Sequence, residues 1–350
     1  MTSLPTQTID QRLPDPDALA ASLQRVLEQA TAAGATSAGA TMSISVGLSV
    51  TVRAGDVESV EFQRDRDLSL TAYRGQRSGS ASSADWSEAS LNEVVERALA
   101  ISSHTGEDRY AGLPEAARQA SDFPDLDLHH PWSLSVADAI DIALACEAAA
   151  LAADPRVHQS EGATVSTHAG LTLLANTQGF VGHRLGTSHS LSCSVLAKSG
   201  DEMQRDYWYS SARRHEDLQA AADIGQLAGE RAASRLGARS IATASMPVLY
   251  VPELARGLFG HLLAAISGGN LYRRASFLLD AVDTQVLAPG IRITQRPFLS
   301  RAAGSRSFDS EGVAMSDRTL VDEQGVLQGY LLGSYSARRL GLETTGNAGG

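Results

Sequence analysis

Between Met42 and Val52 the apolar residues fall on every second position, Met42, Ile44, Val46, Leu48, Val50 and Val52, with Ser, Thr or Gly between them. That period is the mark of a half-buried strand. Ala54-Gly55-Asp56 reads as a turn into Val57 to Phe62, and Asp65-Arg66-Asp67 as a second turn into Leu68 to Tyr73, so the segment predicts an antiparallel meander. Ahead of it, Asp15 and Pro16 stand as N-cap and first helical residue, Leu19, Leu23, Val26, Leu27 and Ala30 recur at helical spacing, and Gly34 closes the run. After a polar loop, Ser78 to Trp86, the residues Leu91, Val94, Val95, Ala98 and Leu99 predict a second helix.

A Pro-containing, acidic linker follows, from Leu113 to Trp132. Ser135 then caps an Ala-rich helix with Ile140, Leu144 and Leu151 inward, stopped by Pro155. From Val157 to Asp206 the period returns to two, with Asn176-Thr177-Gln178-Gly179 as a hairpin turn and Leu191, Cys193 and Val195 on one face. Asp217 to Leu236 reads as helix, ended by Gly237. The last third predicts a short strand, Val248 to Val251, then a helix that packs Leu254, Leu258, Phe259, Leu262, Leu263 and Ile266 on one side and stops at Gly268-Gly269. Asp322-Glu323-Gln324-Gly325 is a hairpin by its turn chemistry, and Ser334 to Leu340 is a short helix. Helices and antiparallel strands in separate blocks give an α+β chain of two domains. Its regions run over 1–125, 126–238 and 239–350, the last two sharing a boundary just after Gly237.

Composition narrows the function classes. With 350 residues and 43% hydrophobic content the chain can bury a substantial core. The longest apolar stretch, Ala139 to Ala153, is broken by Asp141 and Glu147, short of the roughly 20 apolar residues a membrane span needs. Met1 to Asp17 holds Asp10, Asp15 and Asp17 against a single Arg12 and lacks the pattern of a signal peptide, so the cytoplasm is the expected location. A net charge of −11, with arginines in isolated pairs (Arg213-Arg214, Arg273-Arg274, Arg338-Arg339), argues against nucleic acid as a partner. Cys146 and Cys193 lie in no ligand spacing and read as buried thiols.

Local motifs supply no complete catalytic set: the chain contains no HExxH, GxSxG, P-loop or GxGxxG. His215-Glu216-Asp217-Leu218-Gln219 has Gln219 where a second histidine would stand, and reads as the polar start of an exposed helix. His129 and His130 sit in the linker as surface residues. His158, His168, His183 and His189 lie on successive predicted strands; two or more could converge, though solvent-facing positions are the plainer reading.

Larger blocks carry a resemblance. Val52 to Phe62, Tyr73 to Ser83 and Asp108 to Pro114 resemble the N-terminal region of the TldD/PmbA metallopeptidase family. Met203 to Ser210, Arg273 to Leu278, Phe308 to Val313 and Tyr330 to Arg338 are similar to its PmbA (TldE) branch in particular. The resemblance implies an α+β, PmbA/TldD-like fold of antiparallel sheets with packed helices. In the TldD branch the zinc site resembles HExxxH, with the glutamate as general base. The matching window here is Arg256-Gly257-Leu258-Phe259-Gly260-His261, where Arg256 replaces the first ligand and Gly257 the base, leaving His261 alone. His261 then reads as a packed core or interface histidine. The chain ends at Thr344 to Gly350, a stretch that in the family resembles the interior of the C-terminal domain, so that domain is expected to be truncated here, without the cysteine that supplies the catalytic branch's remaining ligand.

The resemblance therefore implies a subunit that holds no metal of its own, zinc residing in a TldD-like catalytic partner that hydrolyses unfolded peptides. Gly268, Gly269, Arg273 and Ser276 would follow the helix that faces the partner and line a shared cavity. Phe308, Asp309, Glu311 and Gly312 would form either a loop whose carboxylates cap backbone N–H groups or meet Arg306, or a subunit or substrate contact. Two alternatives stand beside this reading: a self-sufficient metallopeptidase using His183, His189 and His261, and a non-enzymatic regulator of DNA gyrase, the family's other description. Self-association is a further expectation.

Overall fold

The computed structural model describes residues 12–349; the stretch 1–11, on which much of the reading against a leader rests, lies outside the described residues, as does Gly350. Helix α1 (Pro16–Ala32) starts as its residues dictate: the Asp15 carboxylate accepts the Asp17 N–H, and Leu19, Leu23, Val26, Leu27 and Ala30 are buried. Strands β1 (Ser37–Arg53) and β2 (Asp56–Arg74) form a long hairpin, and β3 (Arg77–Ser83) turns back on β2. Helix α2 (Glu88–His104) follows, capped by Ser87. Helix α3 (Val136–Ala152), capped by Ser135, precedes a second meander of β4 (Val157–Asn176), β5 (Val181–Ser199) and β6 (Glu202–Ala212), and α4 (Ala221–Ser234) completes this half.

The two meanders are one antiparallel sheet of order β3-β2-β1-β4-β5-β6, joined where β1 pairs with β4. Residues before and after the linker thus share a single sheet. The even positions of β1 face one way: Met42, Ile44 and Val46 pack under α1 and α2, while Leu48, Val50 and Val52 pack under α3 and α4. The other face is small and polar, with hydroxyl contacts such as Ser49 to Ser166 (3.0 Å) and Thr51 to Thr164 (2.9 Å).

The last third is less regular. Helix α5 (Pro252–Ala265) leads into α6 (Gly268–Tyr272); β7 (Ile293–Gln295) and β8 (Arg318–Val321) make a two-stranded ribbon, and α7 (Ser334–Leu340) ends at Gly341 in the left-handed region. Leu262, Ile266, Leu278, Leu320, Val321 and Leu327 form its core. The hairpin at Asp322 to Gly325 is present, with the Asp322 carboxylate accepting the N–H groups of Gln324 and Val326.

Several expectations need correction. No turn occurs at Asp65-Arg66-Asp67: β2 runs straight through, paired residue for residue with β1, and these charges line the part of its outer edge that β3 does not cover. The supposed loop at Ser78 is strand β3, made possible by Gly79, where a Cβ would run into the Ala98 carbonyl of α2. His215 to Asp217 is a separate 3-10 turn, and α4 begins only at Ala221. Val248 to Val251 is not a strand; its residues are exposed, Leu249 at 91%, with no neighbouring strand among the described residues to complete its backbone hydrogen bonds. Only Leu262 and Ala265 of α5 are buried, while Leu254 (66% exposed) and Leu258 stay in solvent. Gly268 and Gly269 open α6; they do not merely stop α5, and a Cβ on Gly268 would overlap the Ser336 side chain on α7.

Candidate functional site

Arg256, Gly257, Gly260, His261 and Ala264 recur at spacings of three and four along α5 and so share one side of it. The first four are exposed, and nothing lies within 4 Å of a Cβ built on Gly257 or Gly260. Of the two readings of His261, packed core or interface histidine, its exposure removes the first; it points off the free side of the helix. This side runs into a cleft of about 550 Å³ that begins at Ala264 and is lined by Gly268, Gly269, Glu311, Tyr335 and Ser336.

Glu311 is placed there by the tight loop before it. The buried Asp309 carboxylate accepts the N–H groups of Glu311 (2.9 Å), Val313 (3.0 Å) and Ala348 (2.8 Å), and burial raises its pKa above the usual carboxylate range despite these bonds. Gly312 adopts φ +85, with the Phe180 ring where a side chain would be. Glu311 accepts the N–H of Ser334 (2.9 Å) and so caps α7. The carboxylates of this block thus cap backbone groups. The guanidinium of Arg184 donates to the carbonyls of Phe308 and Asp309 (2.7 Å for Asp309) and stacks over the Phe308 ring.

The expected cavity residues accordingly separate. Gly268, Gly269 and Glu311 meet in the cleft. Arg273 lies in solvent beside Asn270 and Tyr272, and Ser276 donates to the Ala265 carbonyl (2.7 Å), tying the next turn to α5. Phe308 and Asp309 are interior, where no partner reaches them. Tyr335, a cleft residue that spacing alone did not single out, donates to Asp108 (2.7 Å), and Arg338 donates to the carbonyls of Tyr110 (3.0 Å) and Gly112 (3.2 Å). Two of the blocks that carry the resemblance, 108–114 and 330–338, are therefore halves of one joint.

Chemically, the α5 window offers one imidazole, one guanidinium and a position with no side chain, a donor set that does not fit a zinc ion. Among the described residues no group of three or more His, Cys, Asp or Glu side chains is placed to hold a metal. His183 and His189 sit six residues apart on β5, about 20 Å at strand rise, so they do not converge. His189 is buried, its Nδ1 accepting from Thr167 (2.8 Å) and its Nε2–H donating to the His130 carbonyl (2.9 Å). His158 and His183 are exposed, and His168 lies over Gly47 on the polar sheet face. No helix of the described residues is long and apolar enough to cross a membrane.

Comparison with known proteins completes the picture. Residues 42–102, 129–236 and 243–350 match family models described as PmbA/TldA metallopeptidase domain 1, central domain and C-terminal domain. The chain is 42% identical over 324 residues to the Metalloprotease PmbA homolog of Haemophilus influenzae, covering 93% of this chain and 71% of the relative. It is 41% identical over 334 residues to Metalloprotease PmbA of Escherichia coli O157:H7, covering 93% and 74%. The fold matches the crystal structure of a putative modulator of DNA gyrase from Bacteroides thetaiotaomicron with a TM-score of 0.88 at 26% identity, over 95% of this chain and 76% of that one. TldE from Thermococcus kodakarensis shares the fold with a TM-score of 0.75 at 16% identity, over 93% and 73%. With family models across most of its length and relatives above 40% identity, the chain belongs to the PmbA/TldD metallopeptidase family, on its PmbA side.

Proposed function

We propose that this chain is a cytoplasmic subunit of a heteromeric TldD/TldE-type metallopeptidase, in which a TldD-like sibling holds zinc and cleaves unfolded peptides while this chain completes the enclosure around them. The observation that carries the reading is the free side of α5. There Arg256 and Gly257 stand where a zinc ligand and the general base would be, beside a solvent-facing His261 and a cleft with no acid–base pair. An arginine cation repels a metal ion, and glycine cannot take a proton from an attacking water. The openness of that side supports a role in meeting another protein.

The test is metal analysis and peptidase assay of the purified chain, alone and after co-expression with a TldD-like sibling that has an intact HExxxH. The expected outcome is no zinc and no cleavage for the chain alone, and both for the co-purified pair. Stoichiometric zinc with peptide cleavage by the isolated chain would overturn the proposal.

A further inference from the structure

The turn at 108–111, helix α6 and helix α7 meet at the joint made by Tyr335 and Arg338, and each brings charge to it. The Asp108 carboxylate accepts the Tyr110 N–H (3.0 Å), which fixes the turn that carries Arg109 and Tyr110. Tyr272 and Arg273 stand at the end of α6, and Arg339 in the last turn of α7. Packed together, these side chains alternate cation and ring. The Arg109 guanidinium lies 4.7 Å from the centre of the Tyr110 ring, Arg339 lies 5.0 Å from Tyr110 and 5.2 Å from Tyr272, and Arg273 lies 5.4 Å from Tyr272. Tyr335 braces both rings, edge-on to Tyr110 (6.5 Å between centroids) and to Tyr272 (5.6 Å).

All three arginines are exposed. Arg109 donates to the Tyr110 hydroxyl, and Arg273 to the Tyr272 hydroxyl (3.4 Å) and the Asn270 amide oxygen (3.3 Å). Arg339 has its two rings and makes no hydrogen bond among the described residues. The acids of the neighbouring turns are engaged elsewhere: Glu107 with Arg77 (3.5 Å), Glu343 with Arg118, and Glu311 with the Ser334 N–H (2.9 Å). Asp108 is the carboxylate that faces Arg339, and it already accepts the Tyr110 N–H and the Tyr335 hydroxyl (2.7 Å). A chain of net charge −11 thus carries a row of three cations with one carboxylate beside it. Stacking on a ring covers the flat face of a guanidinium and leaves its N–H edge free to donate, which suits capture of a carboxylate.

We infer that this row docks an acidic segment of a partner protein, one carboxylate to each guanidinium. Neighbouring guanidiniums share a ring and so lie within about 11 Å of each other. That reach matches acids two or three residues apart on an extended chain, roughly 7–10 Å. Cations strung along two rings offer separate points of attachment, not one cradle for a phosphate, and the overall negative charge opposes a phosphate backbone. The rings hold the guanidiniums in place before binding, so less side-chain freedom is lost when the partner arrives. Docking here needs neither zinc nor a catalytic sibling, so it can fail while the proposed subunit role stands.

Fluorescence anisotropy on the isolated, full chain tests it. The probes are labelled eight-residue peptides, one alternating Gly and Glu and one alternating Gly and Gln, and a labelled six-nucleotide oligothymidylate. At low salt the Glu peptide should bind about tenfold more tightly than the Gln peptide, the gain expected from charge-assisted bonds, and the difference should shrink as salt is raised. Arg339→Gln, which removes the cation shared by both rings, should erase most of the preference with the circular dichroism unchanged. Arg25→Gln, the same charge change on the exposed face of α1, should leave the preference in place. The comparison of Glu and Gln peptides uses the unaltered chain and so holds even where a variant misfolds. Equal binding of the two peptides, no binding up to about 1 mM, or a preference that Arg339→Gln leaves intact or that Arg25→Gln erases equally would overturn the inference. So would tighter binding of the oligothymidylate, since the row would then recognise phosphate. A dimer, seen by ultracentrifugation, that Arg339→Gln dissolves would do the same, because the row would be taken by a second copy.

Discussion

His189 has both ring nitrogens engaged and no exposure, with Trp132 set edge-on at 5.5 Å and His215 edge-on at 6.2 Å. Burial, the dominant cause, holds its pKa below the ordinary 6.5, so the folded state keeps the ring neutral while the unfolded chain protonates it below that pH. The unfolded state then binds more protons, and stability falls as pH drops below about 6.5. Urea midpoints between about pH 7 and 5 should decline, and His189→Asn should flatten that decline while lowering stability at neutral pH. A second residue-scale prediction concerns Glu147, buried on α3, whose two oxygens accept the N–H groups of Ala54 and Gly55 (2.8 Å each) and so hold the β1–β2 turn against the helix. Glu147→Ala should cost about 2–3 kcal/mol in urea unfolding, and Glu147→Gln less, since one acceptor survives. Neither role was legible in the sequence. Glu147 looked like an interruption in an apolar stretch and His189 like one of four strand histidines, because partners 93 and 22 residues away leave no local mark.

At the scale of elements, helix starts were readable where a side chain does the capping, as at Asp15 and Ser135. Strands were readable where apolar and polar residues alternate, as in β1 and β5. The failures share a cause: neighbours decided them. The charges at 65–67 suit a turn, yet pairing with β1 keeps β2 extended, and Ser-rich β3 is strand because β2 and α2 flank it. The apolar run at 248–251 has strand composition and no strand beside it. Glycines show the same dependence. In α4, a Cβ at Gly225 would run into the Cys146 carbonyl of α3, so Gly225→Ala should lower stability by about 1–3 kcal/mol through overpacking. In α5, Gly257 faces open space, so Gly257→Ala should raise helix stability by about 0.5–1 kcal/mol. Thermal unfolding of the pair would show opposite signs for one and the same substitution.

On the scale of the molecule, the α+β class followed from the block arrangement of periods. What the sequence could not convey was continuity: that β1 and β4 would join two meanders into one sheet, or that residues 108–114 would be fastened to α7 through Tyr335 and Arg338. The cleft at Gly268, Gly269 and Glu311 depends on that assembly, since its walls come from α6, the 309–312 loop and α7 together.

The exposed leucines in the first turns of α5 and just before it also bear on how the protein behaves in the tube. Leu249, Leu254 and Leu258 meet water in the folded state itself, so colloidal stability and conformational stability are separate quantities here. Light scattering on slow heating should begin several degrees below the unfolding midpoint seen by circular dichroism. Leu254→Glu, at a position that gains nothing from burial, should delay the scattering and move the midpoint by no more than about 0.5 kcal/mol equivalent. If scattering and unfolding coincide in both proteins, the native surface is not where the chains stick, and the exposed leucines are inert until the core opens.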